Sequence, residues 1–224
     1  AFRCGYKDGV REATGIFRVD EIAIYSDTDG LTGVFSDDFE SYLEGDSLDT
    51  DNAASPYNSS TSEATVGVEE GGASGPGTPG NQLAEIIDTI MGDTGELRYA
   101  LGAAGPLAAG RLEVAVKRLD DTLGNGDAFI TLFNSDTNNA GAILDFRIRD
   151  DSFGVRNPSS IDTSTLPHTL DAFMDVLITW EYPIDGGTML PDTTLPPEVT
   201  ISVDGVSLAP FTPDNSPFGG VTHV

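Results

Sequence analysis

Carboxylates dominate the side chains of this sequence that could do chemistry. The 224 residues include 37 Asp and Glu against 11 Lys and Arg, with two His and one Cys. Small cations are therefore the natural partners of the chain. The step Asp49-Thr50-Asp51 resembles the opening of an EF-hand loop, but the Gly and the closing Glu of that loop are missing at the required positions. The sequence thus contains no complete local calcium-binding loop.

No set of residues has the spacing of a catalytic site. A Gly-x-Ser-x-Gly elbow is absent. His168 follows Pro167 in a loop pattern, and His223 lies in an apolar segment that favours a structural role. With so many acids some pair of carboxylates always exists, so no spacing singles out a glycosidase pair. We expect a protein that is not an enzyme.

The net charge of −26 and the pI of about 4.1 exclude two classes of partner. A field this negative repels nucleic-acid phosphates and anionic membrane surfaces, so we expect no nucleic-acid binding. No run approaches the ~18 consecutive apolar residues of a membrane-spanning helix, so we expect no membrane insertion. The acidity, with 26 Gly and 13 Pro, indicates an extracellular or cell-surface protein. The start at Ala1 without a leader suits a processed or excised polypeptide.

Apolar residues recur with a period of two, which predicts half-buried strands. The segments with this pattern are 17–24, 97–101, 112–116, 144–148, 174–182 and 199–203. The sequence Val203-Asp204-Gly205-Val206 places two turn residues between β-formers and predicts a hairpin. Short strands with Gly, Asn and Asp between them predict an all-β fold, an antiparallel β-sandwich of the jelly-roll, concanavalin-like type.

Three segments do not follow the strand pattern. Residues 83–91 have apolar positions that fit either a short helix or a buried strand, and both assignments stay open. Residues 71–80 have the composition of a flexible linker, and we interpret them as a long surface loop within one sandwich. Residues 185–197 form a second Pro-rich loop. Either loop could line a binding face.

Exposed aromatic rings are what a carbohydrate-binding face would need. Trp180 alternates in phase with Met174, Val176 and Ile178, which places it in the core. Tyr57 and Tyr182 lie in or beside loops and are the candidate glycan contacts, although a loop Tyr is more often a local anchor.

Two segments resemble known sandwich modules. Residues 34–42, Val-Phe-Ser-Asp-Asp-Phe-Glu-Ser-Tyr, resemble the first strand of bacterial carbohydrate-binding jelly rolls and of laminin-G or concanavalin-like modules. Residues 16–26, Ile-Phe-Arg-Val-Asp-Glu-Ile-Ala-Ile-Tyr-Ser, resemble the last strand of the same modules. Here the last strand comes first. The end of the chain, 220–224, followed by 1–5 would read through as the penultimate strand of the family, cut in the middle.

This order divides the chain into residues 1–33, the last strands of a module, and residues 34–224, the remainder. Three explanations are open. The module is circularly permuted, with its own ends meeting. Alternatively, residues 1–33 are donated to a neighbouring subunit, or the chain is one repeat of a tandem array. Strand donation repeated head to tail gives an interface that does not close, and hence a fibre.

The resemblance also implies a metal site. In these families a glutamate of the first strand and an aspartate of the last strand meet at one edge of the sandwich and bind structural calcium. The matching residues are Glu40, with Asp38 as a further ligand, and Asp20. Hard oxygen ligands from separate strands suit Ca²⁺, which accepts irregular geometry. Such a site would tie residues 1–33 to the rest of the module. The alternative is that these acids are simply solvated.

A second resemblance concerns jelly-roll alginate lyases. Gly95-Glu96-Leu97-Arg98 and Ala1-Phe2-Arg3-Cys4-Gly5-Tyr6 are similar to two of their three strand motifs. The third motif, a Gln-x-His step, is missing, which argues against lyase activity.

Together these patterns predict a calcium-stabilised, non-catalytic structural repeat or subunit of a surface fibre or adhesin. Its partners would be further copies of itself, assembled head to tail by strand complementation. The alternative is a carbohydrate-binding module of a system that degrades extracellular polysaccharides.

Overall fold

The chain folds into two antiparallel β-sheets that pack face to face, which confirms the predicted all-β sandwich. A computed structural model describes residues 2–6, 15–48, 55–57, 64–68, 80–88, 95–119, 127–134, 141–149, 152–157, 160–164, 166, 171–208 and 219–224. Within these ranges the chain also forms a short 3₁₀ turn, Gly102–Ala104. No helix of the described residues is long and apolar enough to cross a membrane.

Fourteen strands are described. In chain order they are β1 (Phe2–Tyr6), β2 (Gly15–Tyr25), β3 (Gly33–Asp37), β4 (Ala64–Val68), β5 (Gln82–Asp88), β6 (Gly95–Leu97), β7 (Ala109–Arg118), β8 (Asp127–Phe133), β9 (Ala142–Ile148), β10 (Phe153–Asn157), β11 (Ser160–Ser164), β12 (Met174–Glu181), β13 (Glu198–Val203) and β14 (Val206–Ser207).

The strand order places β1 and β2 inside the two sheets. Sheet A has the order β11-β10-β9-β8-β1-β6. Sheet B has the order β14-β13-β12-β7-β2-β5-β4, and β3 pairs with the second half of β2. Both sheets are antiparallel throughout the described pairs.

The core lies between the sheets and follows the period-two alternation of the sequence. In β12, residues 174, 176, 178 and 180 are buried while 175 and 181 are exposed. Trp180 is fully buried, as its phase predicts, and it packs against Gly110, where a Cβ atom would overlap the indole. In β8 and β9 every residue is buried, so the face of sheet A that points away from the core is covered as well.

The structure describes the residues of two local predictions, the hairpin around Asp204-Gly205 and most of the segment 83–91. β13 and β14 form the hairpin predicted around Asp204-Gly205, and both turn residues have positive φ (50° and 75°), as a two-residue hairpin turn requires. The ambiguous segment 83–91 is a strand over residues 82–88, where it pairs with β2 and β4. The loop 71–80 lies outside the described residues except at Gly80.

Candidate functional site

The two ends of the chain lie in one strand position of sheet A. On the β6 side, Phe2 lies opposite Leu97. Tyr99 exchanges two backbone hydrogen bonds with Val224 (2.7 and 3.0 Å), and His223 lies opposite Ala100. One residue position, opposite Arg98, therefore separates Val224 from Phe2. The peptide bond from residue 224 to residue 1 would preserve this register.

The opposite side of the same strand gives the same register. Phe2 lies opposite Ile130 of β8, and His223 lies opposite Phe133, three residues further along β8. If Val224 is taken as the residue before Ala1, Phe2 is likewise the third residue after His223. Residues 219–224, which we call the C-terminal segment, and β1 are thus two parts of one strand with a chain break inside it.

The side-chain alternation also continues across the break. Val224, Phe2 and Cys4 point into the core and are at most 1% exposed. His223 and Arg3, at the alternate positions, belong to the other face of sheet A, where burial, assisted by the positive charge of Arg98, lowers the pKa of His223. Because successive residues of a strand face opposite sides, a slip of one residue would reverse this pattern. Burial on the core side therefore fixes the register of both segments.

β2 occupies an equally central position in sheet B. It pairs with β7 on one side and with β5 and then β3 on the other. Phe17, Val19, Ile22 and Ile24 are at most 1% exposed. Without residues 2–25, both sheets would be split, and five strands would expose unpaired backbone groups: β3, β5, β6, β7 and β8.

Arg3 holds β1 from the outward face of sheet A. Its Nη2 donates to Thr131 Oγ1 (2.7 Å) and contacts Asp145 Oδ1 at 3.1 Å, while Thr131 donates to the same Asp145 oxygen (2.6 Å). The guanidinium lies 5.3 Å from the ring centroid of Phe133 and 5.8 Å from that of Phe129. Such distances allow cation–π attraction in addition to the ion pair.

The contacts of Arg3 are part of a wider layer of guanidinium groups and aromatic rings, which we call the arginine ladder. Its members lie side by side across sheet A in the order Arg98, Phe133, Arg3, Phe129 and Arg147. Arg98 lies 5.4 Å from the Phe133 centroid, and Arg147 lies 5.1 Å from that of Phe129. Each arginine has a carboxylate partner: Glu96 for Arg98, Asp145 for Arg3 and Asp127 for Arg147.

Asp127 is an acid of this layer whose pKa is shifted. Burial raises its pKa above the ordinary value, and the neighbouring Arg147, Arg149 and Arg118 oppose that rise. Arg149 Nε lies 3.7 Å from Asp127 Oδ1. The layer combines guanidinium groups with aromatic faces, which is a chemistry suited to carboxylated ligands as well as to packing.

The predicted calcium residues Asp20 and Glu40 contact neighbouring residues. Asp20 Oδ2 accepts a hydrogen bond from Asn81 Nδ2 (2.5 Å), and Glu40 Oε1 accepts one from the backbone N of Gln82 (3.0 Å). Asp20 is 1% exposed. Asp38 is exposed, and its Oδ1 accepts the backbone N–H of Glu40 at 3.2 Å.

The electrostatics of this site would favour a cation. Burial raises the pKa of Asp20 to about 6, and the charges of Glu21 and Glu40 add to that rise against two hydrogen bonds that lower it. Gln82 also has a buried Oε1 atom without a hydrogen-bond partner. These are oxygen donors of the type that Ca²⁺ takes. Within the described ranges, however, no three His, Cys, Asp or Glu side chains converge in metal-binding geometry.

The two candidate glycan contacts are buried. Tyr57 is 2% exposed, and its hydroxyl donates to Asp37 Oδ2 at 2.9 Å. Its ring packs among Phe35, Phe39 and Tyr99. Tyr182 is 1% exposed and continues the core face of β12. Neither ring presents an open face to a sugar in this conformation, because each is used in packing.

Arg3 and Arg98 of the ladder lie in the two segments that resemble lyase strand motifs, but that resemblance does not predict that they form one layer with Arg147. The available signal was the alternation of Arg and Phe with core residues, as in Phe2-Arg3-Cys4 and Phe146-Arg147-Ile148.

Comparison of the chain with protein-family models, with curated proteins and with solved structures gave no match.

Proposed function

We propose that this chain is a structural module that joins to further copies of itself, head to tail, by exchanging residues 1–33. The observation that carries the proposal is the single strand of sheet A shared by the C-terminal segment and β1. Because both parts keep one register, the β1 that follows a given C-terminal segment can come from the same copy or from the next one. The contacts are the same in both cases.

The connection after β2 would serve as the hinge. Residues 26–32 fold back as a turn, in which Ser26 N donates to Thr32 O (3.0 Å) and Leu31 N to Asp27 Oδ1 (2.9 Å). A fully extended chain spans about 3.3 Å per residue, so these seven residues could bridge about 23 Å. β1 and β2 would move together, and the exchange of an identical element is a low-cost route to assembly. A head-to-tail repeat that does not close gives a filament.

Calcium has a defined place in this proposal. Asp20 belongs to the exchanged part and Glu40 to the receiving part, so a Ca²⁺ ion bound by both would stabilise the closed or the exchanged form. The ion would also relieve the repulsion between buried Asp20 and exposed Glu40. The proposed setting is extracellular, as the composition predicts.

The experiment is a truncation of the full chain. Residues 34–224 lack the strands that lie in the interior of both sheets, and we expect this fragment to lose cooperative unfolding and assembly. Addition of a peptide of residues 1–33 should restore cooperative unfolding, measured by circular dichroism, but not assembly, measured by light scattering, because the free peptide is not joined to a second module. A fragment 34–224 that stays a stable, folded monomer would overturn the proposal.

A second candidate function is binding of an acidic polysaccharide, favoured by the arginine ladder. Arg3, Arg98 and Arg147 place guanidinium groups beside aromatic rings on one face of sheet A, and a carboxylated ligand would have to replace the carboxylates that pair with them. The test is calorimetry with uronate and neutral polysaccharides. Arg98→Ala should weaken binding to the uronate, and Arg111→Ala on sheet B should not. Binding that neither variant changes would contradict this candidate.

A further inference from the structure

The position that receives β1 has different requirements on its two faces. On the core side it takes Phe2 and Cys4, which are both 1% exposed. Cys4 Sγ lies 3.4 Å from the carbonyl oxygens of Gly15 and Ile86. A Cβ atom on Gly95, opposite Cys4, would lie 2.9 Å from Ile86 Cγ2 and 3.3 Å from Cys4 Sγ. There is therefore room for a large apolar residue at the first position and for only a small one at the third.

On the outward face the position takes Arg3. The side chains of Arg3 and Asp145 are 13% and 4% exposed, so their ion pair is shielded from water. Thr131 joins both partners, and the rings of Phe129 and Phe133 lie beside the guanidinium. A strand with a residue other than Arg at this outward position could make the backbone hydrogen bonds of β1 but not the ion pair with Asp145. A neutral or acidic residue there would face a buried carboxylate.

We propose that the groove between β6 and β8 selects the strand it accepts by the pattern Phe-Arg-small, with Arg3 as the selecting residue. The partner is β1 of a second copy of this chain. This inference rests on the proposed head-to-tail exchange and adds what makes that exchange specific. Backbone hydrogen bonds give such a strand addition its affinity, and side-chain pockets on alternate faces give its specificity.

The test is a charge swap in the full-length chain. The variant Arg3→Asp has a β1 that the native groove should reject, and Asp145→Arg has a groove that should reject the native β1. For each variant alone, the critical concentration for assembly should rise about tenfold to a hundredfold. This is the range expected for the loss of a hydrogen bond to a charged group. In an equimolar mixture each β1 meets a matching groove in the other variant. The double variant Arg3→Asp/Asp145→Arg is the control for pairing within one chain.

The outcomes separate the two proposals. Assembly of the mixture in strict alternation, measured by native mass spectrometry, supports both. Rescue by the double variant without rescue by mixing leaves Arg3 as the residue that sets the fit of β1 but overturns exchange between copies. If the wild type assembles and neither single variant is impaired, the selecting role of Arg3 is wrong while exchange stands.

A milder variant covers the case in which Asp145→Arg does not fold. Arg3→Met keeps the apolar stem and removes the charge, so its β1 should be a poor donor while its groove still accepts wild-type β1. In a mixture it should terminate growth and shorten wild-type assemblies several-fold, whereas Arg3→Lys, which keeps the charge, should shorten them less. Equal lengths in the wild type alone and in both mixtures would overturn the role of Arg3.

Discussion

Joining Val224 directly to Ala1 should stabilise the folded chain, because the structure leaves one residue position between Val224 and Phe2. The single cysteine, Cys4, allows this without added residues. A chain that starts at Cys4 and ends with Val224-Ala1-Phe2-Arg3 as a thioester can be closed by native chemical ligation between Arg3 and Cys4. The product is a circular chain that contains all 224 residues with the strand unbroken.

The size of the effect follows from the unfolded state. Closing a loop of 224 residues removes conformational entropy worth about 5 kcal/mol at 25 °C in the chain-entropy model, before any strain. For a domain of this size each kcal/mol shifts Tm by about 2–4 °C, so the expected gain is about 10–20 °C. The assay is thermal unfolding at a protein concentration low enough to prevent assembly, with the linear chain of residues 1–224 as the control.

A one-residue insertion is the matched control for the register. A circular chain with one Gly between Val224 and Ala1 must bulge or turn Phe2 and Cys4 away from the core. It should lose about 2 kcal/mol or more of the gain, which is the order of one buried Phe side chain. If the direct junction gives no stabilisation, or if the Gly insertion is equally stable, the two chain ends do not share one strand and the reasoning fails.

The remaining predictions concern Asp20, calcium and Gly110. The pKa of Asp20 is raised to about 6 in the folded chain, from 3.8 in the unfolded chain, so the protonated side chain stabilises the fold. This contribution is complete below pH 3.8 and is lost as the pH rises through 6. With chelator, the unfolding free energy of the wild type minus that of Asp20→Asn should fall by about 2 kcal/mol between pH 4 and 7 in urea titrations, and a flat difference would contradict this. Calcium at about 100 times its Kd should add about 2.7 kcal/mol to the free energy of unfolding at pH 7. This gain should be lost in Asp20→Asn and kept in the control Asp29→Asn. A Tm that calcium does not change would exclude the site. Gly110→Ala should cost about 1–3 kcal/mol against Trp180, whereas Gly33→Ala, which meets no atom within 4 Å, should be neutral in the same titrations.

Several of the strands were accessible from the sequence because burial on one face leaves a period-two record. β12 and the hairpin at Asp204-Gly205 are the clearest examples. Residues 82–88 were ambiguous, since a short apolar run is compatible with a helix or a strand until its neighbours are known. Here β2 and β4 decide the matter by pairing with it.

The site was less accessible, because it depends on pairs that are distant in sequence. Arg3 and Asp145 are separated by 142 positions, and nothing local to either residue indicates the other. Tyr57 was selected for its place beside a loop, but its hydroxyl is bound by Asp37, 20 positions away, and its ring is buried. The resemblance of residues 16–26 and 34–42 to sandwich strands predicted that Asp20 and Glu40 would meet. In the structure they contact the adjacent residues Asn81 and Gln82.

Negative-stain electron microscopy of the full chain in calcium buffer, beside the circular chain, tests the head-to-tail assembly most directly. In the circular chain Val224 is covalently joined to its own Ala1, so β1 cannot be donated to another copy. Filaments of regular axial repeat from the linear chain and separate particles from the circular chain are the result that strand exchange predicts. Separate particles from both, or filaments from both, would contradict it.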